Sequence, residues 1–451
     1  MTDVSMASAA TRFGYGLPAH FTGLHELISE AGGSGTGLTA SIASRGRIIE
    51  EQKLRSSARS ATGAERNRRH KLHRQTVVNW YRSDQHAYVA QAVASPAPFH
   101  SRLVEFWANH FTVSVRKGAV RGLAGPFVFE AIQPHVMGRF EELLIAAELH
   151  PAMVIYLDLM NSIGPNSAFG RERGKGLNEN LAREILELHT LGAAGGYTQG
   201  DVTEFAKIMT GWTVNRRRGE VQFQEDRVEP GVKHFIGKEF GASGPGEGDY
   251  PAALRRLANH PSTARFVAAK LVTHFIADTP PARAVDKVAA AFRNSGGSLP
   301  EVYRALLDLP EAQQPPGAKA RTDFEFVVAC LRVAGVGPED MTPTEKAGGR
   351  TRPNALSVGA LADMQQRLWA APSPAGWPEE AEEWLGPVAL LQRLRWIARL
   401  TGKIRDRTAA GFLGRALGPL ASEQTRKVVL AASNREEGLA LVLASPEFNR
   451  R

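Results

Sequence analysis

The 451-residue sequence predicts an all-α, mainly helical body with long irregular loops and little or no β-sheet. Three observations carry that expectation. Apolar residues recur at helical spacing through most of the chain. Alternating β-branched runs closed by tight turns are almost absent, with Val221–Phe223 the one modest strand candidate. Glycine and proline concentrate in a few stretches between the periodic blocks.

Taken in order, the first helix is expected near Leu24 to Ala31, followed by the flexible connection Gly32-Gly33-Ser34-Gly35-Thr36-Gly37. With the basic segment Arg45–Arg74, interrupted around Thr62-Gly63, this makes an N-terminal part over 1–83. A central helical block over 84–215 carries the candidate site. Clustered Gly, Pro and charge make 216–250 an irregular excursion. A second helical block covers 251–334, and 335–451 is a C-terminal helical part that begins with a linker, Gly335 to Pro353. Thr198 with Asp201 three residues later reads as a helix start related to the capping box. The helix that follows puts Val202, Phe205, Ile208 and Met209 on one face, and Gly211 closes it. Ser262 is the expected cap of the helix carrying Phe266, Leu271 and Phe275.

Composition narrows the function classes. A chain of this length calls for two or three cores, separate or merged. No apolar run is long enough to cross a membrane. Met1 to Ala10 show no charged start before an apolar core, so a cytoplasmic location is the expectation. The single cysteine, Cys330, sits among apolar residues as a buried inert thiol and excludes a multi-cysteine metal site. Of the net charge of +9, +7 falls within Arg45–Arg74. Such a local run reads as a solvated helix rather than a nucleic-acid groove.

The densest set of reactive side chains is Asn178–Thr190, which contains Glu179, Asn180, Arg183, Glu184, Glu187 and His189. Laid out as an α-helix, Leu181, Ala182, Ile185, Leu186 and Leu188 form one arc, and His189 falls in its middle. The stretch Ser101 to Thr112 repeats the pattern. Leu103, Phe106, Trp107 and Phe111 make its apolar arc with His110 among them, while Glu105 and Asn109 share the polar side. A lone histidine on an apolar face ordinarily satisfies a core carbonyl. Two of them, on helices rich in Glu, Asn and Trp, point to a shared polar pocket, where a buried imidazole near a carboxylate acts as acid or base.

Other chemistries are disfavoured. Neither His-Glu-x-x-His nor Glu-x-x-His occurs, and the pairs Glu105/His110 and Glu184/His189 point about 140° apart on an α-helix. A divalent metal would need ligands gathered from separate helices. No nucleophile elbow, phosphate-binding loop or dinucleotide fingerprint is present, so no nucleotide cofactor is expected. Trp369 and Trp377, on a loop reaching Pro378, and Trp384 soon after could stack on a sugar, clamp a peptide, or simply pin the loop.

Several of these stretches resemble the bacterial family called domain of unknown function 1800. They are Thr11-Arg-Phe-Gly-Tyr-Gly, Phe106-Trp-Ala-Asn-His-Phe-Thr, His150-Pro-Ala-Met, Asn178-Glu-Asn through Gly192, Gly196-Tyr-Thr-Gln, Thr210-Gly-Trp, Phe266 to Pro281, Phe324-Glu-Phe-Val-Val and Pro374-Ala-Gly-Trp-Pro. The resemblance spans nearly the whole chain. It implies a mainly helical fold, and through the family's frequent gene neighbours a sulfatase-like partner and shared work on an anionic or saccharide substrate. This chain has Val228-Glu229-Pro230-Gly231 where relatives commonly show His-Asp-Pro-Gly, which removes one histidine. His234 follows a few residues later.

The expectation is therefore an acid/base enzyme, a hydrolase or lyase on a carbohydrate-like or sulfated substrate. Glu184 or Glu187 would act as general acid or base and His110 and His189 would tune the proton. Asn109, Asn180, Arg183 and Trp107 would bind substrate. The alternative is a helical scaffold or partner protein in which these residues form a buried polar network.

Overall fold

Helices α1 (Asp3–Phe13) and α2 (Glu26–Gly33) open the chain in this computed structural model, which describes residues 3–17, 23–33, 43–244, 246–315, 317, 319–346 and 350–451. Most of the glycine-rich connection after Gly33 lies outside the described residues. The basic segment forms a helical hairpin, α3 (Ser44–Ser60) and α4 (Gly63–Ala94), turning at Gly63 with φ +55°. A buried Arg47–Asp84 pair, with contacts of 2.5 and 2.7 Å, ties the two helices together. Helix α4 runs straight through position 83, where the sequence suggested a boundary.

Helix α5 (Pro98–His110) starts with proline in its first turn, where the missing N–H costs no hydrogen bond. It buries Phe99, Leu103, Phe106 and Trp107, as its periodicity predicts. Helix α6 (Phe140–Glu148) follows, then α7 (Glu179–Glu184). The helix does not continue as α beyond Glu184. Ile185–Thr190 is a π-helical stretch, closed by the Leu191 N–H reaching back five residues to Leu186 O. Hydrogen bonds there run from i to i+5, so residues five apart stack on one face instead of diverging.

Helix α8 (Gln199–Ile208) has the expected cap: Thr198 Oγ1 accepts from Asp201 N–H at 3.1 Å, and Asp201 Oδ2 accepts from Thr198 N–H at 2.8 Å. The excursion that follows is more regular than expected. Strands β1 (Trp212–Asn215) and β2 (Glu220–Phe223) pair antiparallel, as do β3 (Lys233–Phe235) and β4 (Lys238–Phe240). Long-range contacts hold the second ribbon. Phe235 stacks on Phe205 of α8 at 4.8 Å, and Glu204 Oε2 accepts from His234 N–H at 2.9 Å. Three-residue strands are too short to leave an alternation in the sequence, so only tertiary packing defines them.

Helix α9 (Pro261–Phe275) is capped by the His260 ring, whose Nδ1 accepts from Ser262 N–H at 3.2 Å, and not by Ser262. The Ser262 hydroxyl instead donates to Gly195 O at 3.0 Å. Helix α10 (Asp323–Ala334) carries a full capping box between Thr322 and Glu325, and Cys330 is buried within it. Burial raises the Cys330 thiol above its ordinary range, so it stays protonated and inert. The expected linker holds a ribbon of β5 (Thr344–Lys346) and β6 (Arg350–Arg352), and α11 (Pro387–Leu400) lies beyond it. The described residues thus contain three two-stranded ribbons in a mainly α-helical fold. No helix among them is long and apolar enough to cross a membrane.

One large buried apolar cluster reaches from Ala9 to Phe448, with a small satellite of Val115, Ala124 and Ala370, so the cores anticipated from chain length are largely merged. Inside it lies a chain of paired charges. Arg102 on α5 meets Glu325 on α10, and Glu325 Oε2 accepts from Arg451 Nε at 2.7 Å. Arg451 also donates to the carbonyl of His274 on α9 at 2.6 Å. Substituting Arg451→Met should lower unfolding free energy by about 3 kcal/mol, because it breaks a fully buried pair from one side. Urea denaturation of the variant beside the unaltered protein measures this.

Candidate functional site

Helix α5 separates two polar regions. On one flank, His110 donates from Nε2 to His189 O at 3.1 Å, and the two rings lie 6.1 Å apart. His189 donates in turn from Nδ1 to Glu148 Oε1 at 2.7 Å, with both side chains 1% exposed. The two imidazoles do meet, but the carboxylate they meet belongs to Glu148 on α6. Burial, reinforced by the nearby Lys270 charge, pushes the His110 imidazole well below its ordinary range. Its Nδ1 and the His189 Nε2 have no hydrogen-bond partner among the described residues.

The other residues anticipated there stand further out. Glu184 is half-buried, and burial raises its carboxyl, opposed by His189. That influence exists because the π stretch brings positions 184 and 189 toward one side, contrary to the α-helical layout. Glu187 accepts from Tyr197 Oη at 2.8 Å, and Arg183 donates to Gln199 Oε1 at 2.7 Å. Asn180 is exposed. Trp107 is sealed in the core with its N–H given to Tyr303 Oη at 2.7 Å, so it has no open face for a substrate.

On the opposite flank, Glu105 and Asn109 line a cavity of about 70 Å³ together with His274, Gln366, Trp377 and Glu379. That is room for a few waters or a small polar group. Gln366, Trp377 and Pro378 form a wall shared with an outer cleft of about 620 Å³, into which Trp384 and Arg116 also face. Asn109 builds this wall. Its Nδ2 donates to Trp377 O at 3.0 Å and its Oδ1 accepts from Trp377 N–H at 2.7 Å. Gly376 makes the approach feasible: with φ +92°, a Cβ there would stand 2.6 Å from both Asn109 oxygens. Gln365 and Trp369 also take positive φ, +73° and +55°. Non-glycine residues held this way cost about 1–3 kcal/mol each and cluster at functional sites.

The floor of the cavity is charged. Arg102, fully buried, donates from Nη1 to Glu105 Oε2 at 3.1 Å and from Nη2 to His274 Nε2 at 3.1 Å. Since arginine only donates, His274 Nε2 accepts, and Nδ1 carries the proton given to Glu379 Oε1 at 2.8 Å. Lys319 backs the dyad, donating to Asp278 and, at 2.5 Å, to Glu379 O. Burial depresses His274 to about 3. Burial by itself would raise Glu379, but His274, Lys319 and Arg451 outweigh it and bring the carboxyl to about 2. Glu105 moves the other way, raised by burial against the pull of Arg102 and Arg451. Two carboxyl groups on one cavity are thus held in opposite protonation preferences.

Sequence reasoning reached the polar flank of α5 and the tryptophan loop but not their meeting. His274 is 172 positions from Arg102 and 105 from Glu379, and no local pattern links them. The only available signal for Glu379 was its place directly after the proline-tryptophan loop. Among the described residues, no group of three or more His, Cys, Asp or Glu is arranged to hold a metal.

These features define a class: a helical protein with a charged cavity closed by a strained tryptophan loop. The chain belongs to the family described as "Protein of unknown function (DUF1800)", whose model matches residues 9–450. Comparisons with curated proteins and with solved structures give no match.

Two outcomes follow from the geometry. Asn109→Ala leaves the Trp377 N–H and carbonyl unpaired and should cost about 2 kcal/mol, with a red-shifted tryptophan emission as the loop loosens. The second concerns acid. His274 has an ordinary value of 6.5 and a folded value of about 3, so from pH 6.5 downward the unfolded chain takes a proton that the folded chain refuses. Glu379 acts in the same sense, its contribution complete above 4.5 and lost toward about 2. Glu105, raised in the fold, acts oppositely and recovers part of the loss. Melting temperature should therefore fall between pH 6.5 and 4, and His274→Gln should flatten that slope in a thermal-shift series.

Proposed function

We propose that the protein is an acid–base enzyme, a hydrolase or lyase, working at the cavity between α5, α9 and the Trp369–Glu379 loop. The observation that carries the reading is the opposed pair Glu105 and Glu379 on one small cavity. Glu105 is the group that burial biases toward its protonated form, against the pull of Arg102, and that would give a proton to a leaving oxygen. Glu379, ionised against His274, accepts one or steadies developing positive charge. Asn109 is a positioning residue, since it acts through the loop that closes the cavity.

The substrate class is carbohydrate-like or sulfated. The half-buried Trp377, braced by the buried Trp384 at 6.3 Å between ring centroids, gives the outer cleft an aromatic face suited to the apolar side of a sugar ring, and the exposed Arg116 suits an anionic substituent. Relative to the sequence-based expectation, the acid–base role moves from Glu184 and Glu187 to the other flank of α5, because neither of those residues lines this cavity or the cleft.

A second reading has support of its own. The Arg102–Glu325–Arg451 charges are paired with one another, as in a structural network of a scaffold that binds a partner such as a sulfatase-like protein. Glu105→Gln separates the two readings, because the amide keeps an acceptor for Arg102. For the enzyme, turnover across a panel of neutral and sulfated glycosides should fall by roughly 10²–10⁴ with melting temperature little changed. A folded Glu105→Gln variant that matches the unaltered protein on every substrate it turns over would overturn the enzyme reading.

A further inference from the structure

Four of the nine large apolar side chains that the described residues leave exposed sit on one helix, α11: Val388, Leu390, Leu391 and Leu394. Val388 is 63% exposed, Leu391 47% and Leu394 49%. The inner face of α11 is fully employed. Arg393, Trp396, Ile397 and Leu400 are buried there, and Arg393 donates to Asp323 Oδ1 at 2.9 Å. Single exposed leucines are common on protein surfaces, but a contiguous aliphatic patch marks a face that something else covers.

The pattern on that face says what covers it. Pro387, Leu391, Leu394 and Ala398, all exposed, fall within about 60° of one another along the middle of the outer surface. Their spacing of four, three and four residues is that of a helix–helix seam. The stripe also reads alike from either end, with two leucines at the centre and a shorter side chain at each tip. An identical helix laid antiparallel would set Leu391 against the copy's Leu394 and Pro387 against the copy's Ala398. The charges obey the same symmetry. Exposed Glu382 and Glu383 precede the helix, whereas exposed Arg395, Arg399 and Lys403 end it. Arg399 meets Asp363 at 3.0 Å, but Glu382, Glu383, Arg395 and Lys403 form no ion pair among the described residues. Antiparallel pairing brings each acidic end onto a basic one, with Glu382 and the copy's Lys403 equally far from the midpoint of the stripe. A parallel pair would stack like charges, and an anionic membrane would be repelled by the Glu382–Glu383 end.

We propose that the outer face of α11 is the interface of a twofold-symmetric homodimer, in which the α11 helices of two copies pack antiparallel. Such an interface is isologous: the same patch serves both copies, so it must be complementary to itself, as this one is in both shape and charge. Val388, Ala389 and Gln392, on one flank of the stripe, also line the outer cleft. The second copy therefore borders the mouth of that cleft without entering it.

Sedimentation velocity on the full-length protein tests this, over about 1 to 100 µM, where dissociation constants of micromolar order are resolved. A species of twice the chain mass is expected to grow with concentration. The double variant Leu391→Glu, Leu394→Glu should stay monomeric throughout with an unchanged helical circular-dichroism spectrum, since both side chains face outward. The charges test the orientation separately. Glu382→Lys should raise the dissociation constant several-fold, because symmetry places two such exposed pairs in one interface. Adding Lys403→Glu to that variant should restore the original value. A protein that remains monomeric at the highest concentration overturns the proposal, as does a dimer that survives the two glutamates. Failure of the charge reversal to restore association overturns the antiparallel arrangement and the proposal with it. A monomer that floats with phosphatidylglycerol vesicles, and loses this with the leucines, would assign the face to a membrane and overturn it equally.

Discussion

One buried guanidinium organises this fold. Arg102 has no exposed surface, and its donors run to Glu105 on its own helix, Glu325 on α10 and His274 on α9. An uncompensated charge at that depth would cost several kcal/mol, so the three helices are constrained to bring it acceptors. The same constraint decides the protonation of its neighbours. Because Arg102 occupies His274 Nε2 as a donor, the imidazole is held as the Nδ1–H tautomer, and Glu379 stays an anion. A structural requirement thereby becomes an electrostatic property of the cavity.

The two flanks of α5 illustrate how one amphipathic helix serves different ends. The His110 flank is closed: it meets His189 and Glu148 in a buried interior packed with Phe111 and Phe140. The Glu105 flank is open to a cavity because a loop covers it, not another helix. Loops tolerate the positive φ values at Gln365, Trp369 and Gly376 that a helix forbids, and Asn109 fastens that loop through its backbone. Backbone strain, an aromatic wall and opposed carboxyl groups coincide at the same place.

Much of the helical framework was legible before any coordinates. The Thr198–Asp201 cap, the inward face of α5 and the buried state of Cys330 all follow from residues within one or two turns of each other. The departures share a cause. His260 displaced Ser262 as the cap of α9 because Pro261 already fills the first helical position. The π stretch at Ile185–Thr190 shifted the angles drawn on an α-helical wheel beyond Glu184, and nothing in the Ile-Leu-Glu-Leu-His-Thr composition announces it. The ribbons after Gly211 exist through contacts with α8 that lie outside any local window.

The sequence alone therefore determined most of the helices, the Thr198 cap and which side chains of α5 are polar, since periodicity and capping act over a handful of residues. Tertiary structure decided which carboxylate each histidine meets. Glu148 claimed His189 and Glu379 claimed His274, across 41 and 105 positions, because buried imidazoles take whichever acceptor the packing of distant elements delivers.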